Sequence, residues 1–249
     1  MKISVMKIRK RRTFLNMFSQ KNKKILFFGS YHSWNPEDPE MDQIKKIFKK
    51  FNPTLVLVET TKLISPKDEK KAILQHGETG LVQYLAQKNQ IKAIPADPNK
   101  KLVIKKLAKK YSKDELVLYF LLRTLDQYPK VKIKPKFNDF LKYVIKEYKK
   151  IFGHLSYQRF QRIFKKVLKK KFNPNSLGKL TELFNPEKNL TILNLIARDE
   201  SFLRDSYTLS ILKKMLKKFD RILIVKGIGH AKFFEENIPK ILKQNDRAF

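Results

Sequence analysis

Two histidines follow the same short pattern, Gly-x-x-His, near the two ends of this 249-residue chain. The first motif runs from Gly29 to His32 and the second from Gly227 to His230. Each directly follows a short apolar run, residues 25–28 or 222–225, of a kind typical of fully buried parallel strands. Ligands in open α/β sheets bind at the carboxyl ends of the strands, so we expect both imidazoles at one such edge.

Carboxylates occupy matching positions after other predicted strands. Glu59 closes the apolar run 54–58, and Asp97 follows the predicted strand 91–95. Imidazole and carboxylate together suit a divalent transition metal such as Zn, Mn, Co or Fe(II). We therefore predict His32, His230 and Glu59 as metal ligands, with Asp97 as an auxiliary ligand or hydrogen-bond acceptor.

Two mechanisms fit these residues. A metal would lower the pKa of its bound water, which then attacks a peptide or ester carbonyl with Glu78 as a possible general base. Without a metal, one histidine oriented by Glu59 would act as general base and Arg198 would stabilise the oxyanion. The sequence leaves both mechanisms open.

Ordinary structural roles compete with these assignments. Glu59 could cap a helix or pair with a lysine, Asp97 precedes a proline and suits a turn, and Arg198 could pair along its helix. The segment that contains Glu78, Gly-Glu-Thr-Gly, is also typical of a loop that starts a helix. Tyr31 would shape or line the pocket, and it becomes a ligand contact if the site holds haem.

The elements around these residues predict an α/β fold, with a mostly parallel sheet flanked by helices. Strands alternate with helices over 40–51 and 80–88, which is the pattern of right-handed βαβ crossovers. Residues from about 102 to 185 have helical spacing throughout, so we predict a large helical insertion that caps the carboxyl edge of the strands. Residues 1–22 are expected to be a basic leader, and 23–249 a single domain. Further helices are expected at 189–218 and 231–244.

Composition limits the class of protein. The formal net charge is +33, which favours non-specific contact with nucleic acid or an anionic membrane, although the lysines are spaced as on solvated helix faces. There is no cysteine, which excludes disulfides and thiolate sites. No secretory signal or membrane span is evident, so a soluble cytoplasmic protein is expected. The apolar block 116–122 predicts a buried helix or the contact of a homodimer.

At these residues the chain resembles the superfamily that contains the TraB and GumN proteins, the Tiki proteases, the ChaN haem-binding proteins and the erythromycin esterases. That family has a Gly-x-x-His after the first strand, a glutamate closing the next strand, an arginine late in the helical region and a second Gly-x-x-His near the C-terminus. Here the pattern matches His32, Glu59, Arg198 and His230, and the resemblance covers residues 25–245.

The resemblance implies four kinds of function. Members include metal-dependent proteases, metal-independent esterases, haem binders and proteins linked to pheromone control. The leading hypothesis is therefore a TraB/Tiki-type hydrolase, metal-dependent, that cleaves a peptide or ester bond of a peptide or small molecule. The alternative is a ChaN-type protein that holds haem or another small ligand against Tyr31 and His32 without turnover, or a regulatory protein of the pheromone-shutdown kind.

Overall fold

The computed structural model describes the backbone of residues 4–10, 13–130 and 135–246, and the side chains of 14–129 and 135–244. Within these ranges the strands form one six-stranded sheet in the order β1-β2-β3-β6-β4-β5. The strands are β1 (Ser4–Lys10), β2 (Thr13–Gln20), β3 (Lys23–Ser30), β4 (Leu55–Val58), β5 (Lys92–Pro95) and β6 (Arg221–Gly227).

Four of the strands are parallel and carry the predicted motifs. β3, β6, β4 and β5 run in one direction, whereas β1, β2 and β3 form an antiparallel meander. In the register of β3 with β6, Ser30 lies opposite Gly227. The two Gly-x-x-His motifs therefore leave neighbouring strands at the same edge, and the predicted α/β class with a mostly parallel sheet is confirmed.

Helices account for most of the remaining described residues. They are α1 (Pro39–Phe51), α2 (Glu69–Lys88), α3 (Lys100–Leu107), α4 (Lys113–Leu125), α5 (Phe137–Phe152), α6 (Tyr157–Leu168), α7 (Ile192–Met215) and α8 (Ala231–Asp246). The chain divides into two compact units, a sheet unit of residues 1–98 and 204–249 and a helical unit of residues 99–203.

The sheet unit buries apolar side chains on both faces of the sheet. On one face α1 and α2 pack with residues such as Met41, Ile44 and Leu81. On the other face α8 and the last turns of α7 pack with Phe27 and Phe234, whose rings stack at a centroid distance of 5.0 Å. Burial on both faces explains why the parallel strands have continuous apolar runs and no alternation.

The helical unit has a core of its own, centred on α4. The block 116–122 is fully enclosed there, so its apolar sequence is explained by a buried helix. Ser112 and Glu115 form a capping box that begins α4. Among residues 99–130 and 135–203 there is no strand, in agreement with the prediction of a helical segment.

The expected basic leader is wrong for the described part of 1–22. Residues 4–10 and 13–20 form β1 and β2, and Phe14 and Phe18 are buried against α8 and α7. The many lysines and arginines concealed a strand with apolar side chains on both faces. Residues 1–3 and 11–12 of the predicted leader lie outside the described residues.

A second difference concerns the segment before residue 80. Residues 60–77 were expected to form a loop with a short helix, separate from the helix at 80–88, but α2 begins at Glu69 with Asp68 as its N-cap and continues through a kink at Gly77. Gly77 has φ 61° and ψ −146°, a conformation that glycine tolerates and other residues do not.

Among the described residues, no helix is both long and apolar enough to span a membrane.

Candidate active site

The first motif presents its histidine at the end of β3. His32 has φ 62°, in the left-handed region, and its backbone N–H donates to Ser30 Oγ at 3.3 Å. A non-glycine residue in this region is uncommon and is held there by its surroundings. The turn leaves the imidazole 45% exposed. His32 is therefore a histidine that a substrate can reach.

The partner of this imidazole is Glu78, immediately after the kink of α2. Its carboxylate is 2% exposed, and Oε1 lies 2.6 Å from Nδ1 of His32. A carboxylate only accepts, so Nδ1 carries the hydrogen and Nε2 has the free lone pair. The hydrogen bond to Glu78 is the main reason why the pKa of His32 is raised, against the opposing effect of burial. Glu78 thus orients the ring and stabilises its protonated form.

The second motif gives its histidine a different environment. β6 ends at Gly227, residues 228–230 form a short 3-10 turn, and α8 follows. His230 is 8% exposed, with Nδ1 2.7 Å from Asp205 Oδ1 and Nε2 3.6 Å from Glu59 Oε1. Burial alone would lower the pKa of His230, but hydrogen bonding to Asp205 and Glu59 outweighs it and the pKa is raised.

Glu59 and Asp97 accept from a shared set of cations. The Arg204 guanidinium donates to Glu59 and, at 2.6 Å, to Asp97 Oδ2. Lys226 Nζ lies 3.2 Å from Asp97 Oδ1, and the backbone N–H of Gly227 donates to Glu59 Oε2 at 2.6 Å. Burial tends to raise the pKa of Glu59, but His230, Lys226 and Arg204 hold it well below its usual range. Glu59 therefore stays ionised.

Lys226 occupies an unusual position for a lysine. Its side chain is fully buried inside β6, where Nζ lies 3.3 Å from Thr208 Oγ1 and 3.5 Å from Asp205 Oδ1. Burial of an ammonium group is costly unless carboxylates and hydrogen bonds compensate for the lost hydration. Asp97 and Asp205 supply that compensation, so the buried charges form one connected network.

The two motifs meet at Gly227. A Cβ built on this glycine would lie 2.5 Å from His32 Nε2 and 3.1 Å from its Cε1. The imidazole of the first motif therefore lies directly over the glycine of the second. This contact explains why the position takes a residue without a side chain, and it fixes His32 beside the Glu59 network.

Most of the predicted site residues come together in the sheet unit. His32, Glu59, Asp97 and His230 lie at the carboxyl edge of the parallel strands. Glu78, which the sequence presented as part of a loop and helix start, contacts His32 directly through the kink at Gly77.

Two predicted residues have other partners. Arg198 belongs to the helical unit, where its guanidinium donates to the backbone carbonyls of Pro186 and Lys188. The role of oxyanion stabiliser for Arg198 stays a prediction. The hydroxyl of Tyr31 donates to Asp38, and its role as a ligand contact stays a prediction.

Three charged residues of the network were not predicted. Arg204 and Asp205 form a second Arg-Asp pair six residues after Arg198 and Asp199, and only the first pair was considered. Lys226 was given no role, although a lysine between Val225 and a strand-end glycine is itself a signal. A lone charge within an otherwise buried strand needs partners.

A further carboxyl lies beside the His32 pair. Glu40, in the first turn of α1, is 1% exposed and accepts from the backbone N–H of Tyr31 at 3.0 Å. Its other oxygen, Oε2, is buried and has no hydrogen-bond partner among the described residues. Burial, reinforced by the charges of Glu78 and Asp38, raises the pKa of Glu40 to about 7.

The predicted metal ligands do not form a metal site in this arrangement. Within the described parts of the chain, no group of three or more histidine, aspartate or glutamate side chains is placed to hold a metal ion. Glu59 and Asp97 are already neutralised by Arg204 and Lys226, and two cations so close would repel a divalent ion. The donor set therefore favours the metal-independent mechanism of the two that the sequence left open.

The comparisons with known proteins assign no function to this chain, so a functional proposal must rest on the geometry of the site. No family model, no curated protein and no solved structure matches the chain. The resemblance to the TraB and Tiki superfamily therefore remains a prediction that rests on the two motifs and Glu59.

Proposed function

We propose that this chain hydrolyses an ester or peptide bond, with His32 as the general base and without a metal ion. The observation that carries the proposal is the pair of His32 and Glu78: an accessible imidazole hydrogen-bonded at 2.6 Å to a buried carboxylate. A histidine oriented in this way is the usual arrangement for proton transfer in acyl hydrolysis.

The chemistry needs only this pair and water. Nε2 of His32 takes a proton from a water molecule while the water oxygen attacks the carbonyl carbon of the substrate. The resulting imidazolium, stabilised by Glu78, then gives the proton to the leaving oxygen or nitrogen as its bond to the carbonyl carbon breaks. The acid and alcohol or amine depart, and His32 is again neutral.

The Glu59 network would position the base and take no proton. The carboxylate of Glu59 accepts from the Gly227 N–H and so holds the backbone over which the His32 ring lies. Arg204 and Lys226 keep that carboxylate charged and fixed. His230, in the second motif, also belongs to this network. The two copies of the motif would therefore have different roles, with His32 as the base and His230 as a positioning residue.

The family resemblance supports the same class of reaction. The superfamily that the motifs resemble includes esterases that act without a metal as well as metal-dependent proteases. The cations on Glu59 and Asp97 favour the former, so ester substrates are the first to test.

The test is steady-state hydrolysis of a panel of p-nitrophenyl esters and short chromogenic peptides. His32→Gln should lower kcat by roughly 10²- to 10⁴-fold, the usual contribution of a general base. His76→Gln is the matched control, because His76 is an exposed histidine of the same unit and makes no contact in the His32 pair. Full activity of the His32 variant would contradict the proposal.

The pH dependence of kcat/KM tests whether Glu78 raises the pKa of His32 or acts only on folding. In the wild type, kcat/KM should rise with pH through the pKa of His32, which lies above 6.5 because Glu78 raises it. In Glu78→Gln that limb should move to lower pH, because the interaction that raises the pKa of His32 is gone. An unchanged limb with reduced activity would show that Glu78 acts only on folding.

A further inference from the structure

An apolar groove lies at the opposite edge of the sheet from the candidate active site. It has a volume of about 480 Å³ and is lined by Leu15 and Met17 of β2 and by Ile47 and Phe51 of α1, with Leu26 of β3 between them. These side chains lie on the face of the sheet that α1 and α2 cover. The floor of the groove is therefore formed by half-buried and buried hydrocarbon.

One end of the groove is cationic. Lys24, the second residue of β3, and Arg221, the first residue of β6, are register partners, and Lys50 approaches from α1. Within the part of the chain that the structure describes, none of these three side chains contacts a carboxylate. Three cations without anionic partners among those residues thus stand at the end of an apolar surface.

Arg221 distinguishes this end from the many solvated lysines of the chain. Its Nε is buried from solvent and has no hydrogen-bond partner among the described residues. A buried guanidinium N–H without an acceptor is costly, and a carboxylate is the acceptor that best matches the planar fork of arginine. Arg221 also lines the groove, and the N–H donors on its terminal nitrogens match a carboxylate, so its side chain indicates an acidic partner there.

We propose that the groove binds a medium-chain fatty acid. Its carboxylate would accept from Arg221, with Lys24 and Lys50 beside it, and its alkyl chain would lie along Leu15, Met17 and the α1 residues. The volume is in the lower half of the range for small-molecule sites, roughly 300–1,000 Å³, which favours a single alkyl chain over a two-chain phospholipid. The phosphates of a nucleic acid would contact the cations, but a nucleic acid would not cover the hydrocarbon floor of the groove.

The groove is independent of the proposed hydrolase function. Lys24 and Arg221 stand at the amino ends of β3 and β6, whereas His32 and His230 follow their carboxyl ends. Variants in the groove therefore leave the His32 pair intact. Loss of fatty-acid binding and loss of hydrolysis can be measured separately on the same full-length protein.

The experiment is isothermal titration calorimetry with sodium octanoate, decanoate and dodecanoate, each below its critical micelle concentration. One molecule should bind per chain, and each two added methylenes should raise the affinity roughly tenfold. Arg221→Gln should weaken binding of dodecanoate at least tenfold, and Lys50→Gln, on an exposed position that folding does not depend on, several-fold. Thermal unfolding of each variant checks that it is folded.

Arg162→Gln is the matched control, because it removes the same charge from an exposed position in α6 of the helical unit. It should bind dodecanoate as the wild type does. The proposal is overturned if no acid of the series binds, if several bind per chain with no dependence on length, or if Arg162→Gln weakens binding as much as Arg221→Gln. Binding only to vesicles of phosphatidylglycerol, unaffected by Lys50→Gln and Arg221→Gln, would also overturn it, because the groove cations would then hold no anion.

Discussion

The two Gly-x-x-His motifs follow adjacent parallel strands, yet their histidines have opposite surroundings. His32 is 45% exposed and has one carboxylate partner, Glu78. His230 is 10% exposed in its side chain and lies between Asp205 and Glu59, in a network that also contains a fully buried lysine. The pKa of both imidazoles is raised, in each case by neighbouring carboxylates.

The difference arises from the backbone beyond the end of each strand. After β3 the chain turns through a left-handed residue and delivers the ring to solvent, whereas after β6 it enters a 3-10 turn and α8, which bury the ring. One sequence pattern therefore gives an accessible base and a buried positioning residue. Repetition of a motif identifies the edge of a site but does not identify which copy reacts.

The largest expected effect is on the free energy of unfolding, which substitution of His230 should lower far more than substitution of His32. His230→Gln breaks a buried ion-paired network and should lower the free energy of unfolding by about 3–5 kcal/mol. His32 is nearly half exposed, and in His32→Gln the glutamine amide can still donate to the buried Glu78, so this substitution should cost about 1 kcal/mol. Urea unfolding of both variants at pH 7 measures this, and equal losses would contradict the assignment of His230 as the structural member.

The contact between the motifs can be broken with a single methyl group. Gly227→Ala places a Cβ 2.5 Å from His32 Nε2, which must displace the ring and should lower kcat about 100-fold. Backbone strain does not contribute, because Gly227 has φ −56° and ψ 144°, which alanine also adopts.

Gly229→Ala is the control within the same motif. A Cβ at Gly229 meets no atom within 4 Å, so activity should remain near that of the wild type. If Gly227→Ala is as active as Gly229→Ala, the position of the His32 ring over Gly227 does not matter for catalysis.

A smaller effect is expected from the carboxyl groups beside the two histidines, because their pKa values are shifted in opposite directions. Glu59 is held ionised by cations, whereas burial raises the pKa of Glu40 to about 7. A raised carboxyl pKa means that the folded state binds the proton more tightly than the unfolded chain does. The stabilisation of the folded state by this proton is therefore complete below about pH 4.5 and is lost as pH rises through about 7.

Glu40→Gln should therefore leave stability little changed at pH 5 and increase it at pH 8, by roughly 1–3 kcal/mol relative to wild type. Gln keeps the acceptor for the Tyr31 N–H without an ionisable group. The free energy of unfolding at the two pH values gives the comparison, and an equal effect at both would show that Glu40 does not titrate in this range.

Much of this arrangement could be predicted from the sequence because it depends on local patterns. The apolar runs before Gly29 and Gly227 predicted β3 and β6, and the alternation with helices predicted that their ends share an edge. The spacing of Met41, Ile44 and Phe48 likewise predicted α1, which buries all three.

The remainder depends on tertiary contacts that local patterns do not encode. Two Arg-Asp pairs lie in α7, and spacing could not decide that Arg204, not Arg198, contacts Glu59. The kink at Gly77 turns Glu78 toward His32, which no periodicity indicates. The lysine-rich start of the chain concealed β2, because its strand is defined by burial on both faces against α1, α7 and α8.

The central claim is that His32 acts as the base without a metal. The most direct measurement is ester hydrolysis by wild type and His32→Gln after exhaustive chelation, with metal content determined by mass spectrometry on the same samples. We predict that the chelated wild type keeps its activity and that the variant loses it. Activity that disappears on chelation and returns with Mn, Co, Zn or Fe(II), or that persists in His32→Gln, would contradict the claim.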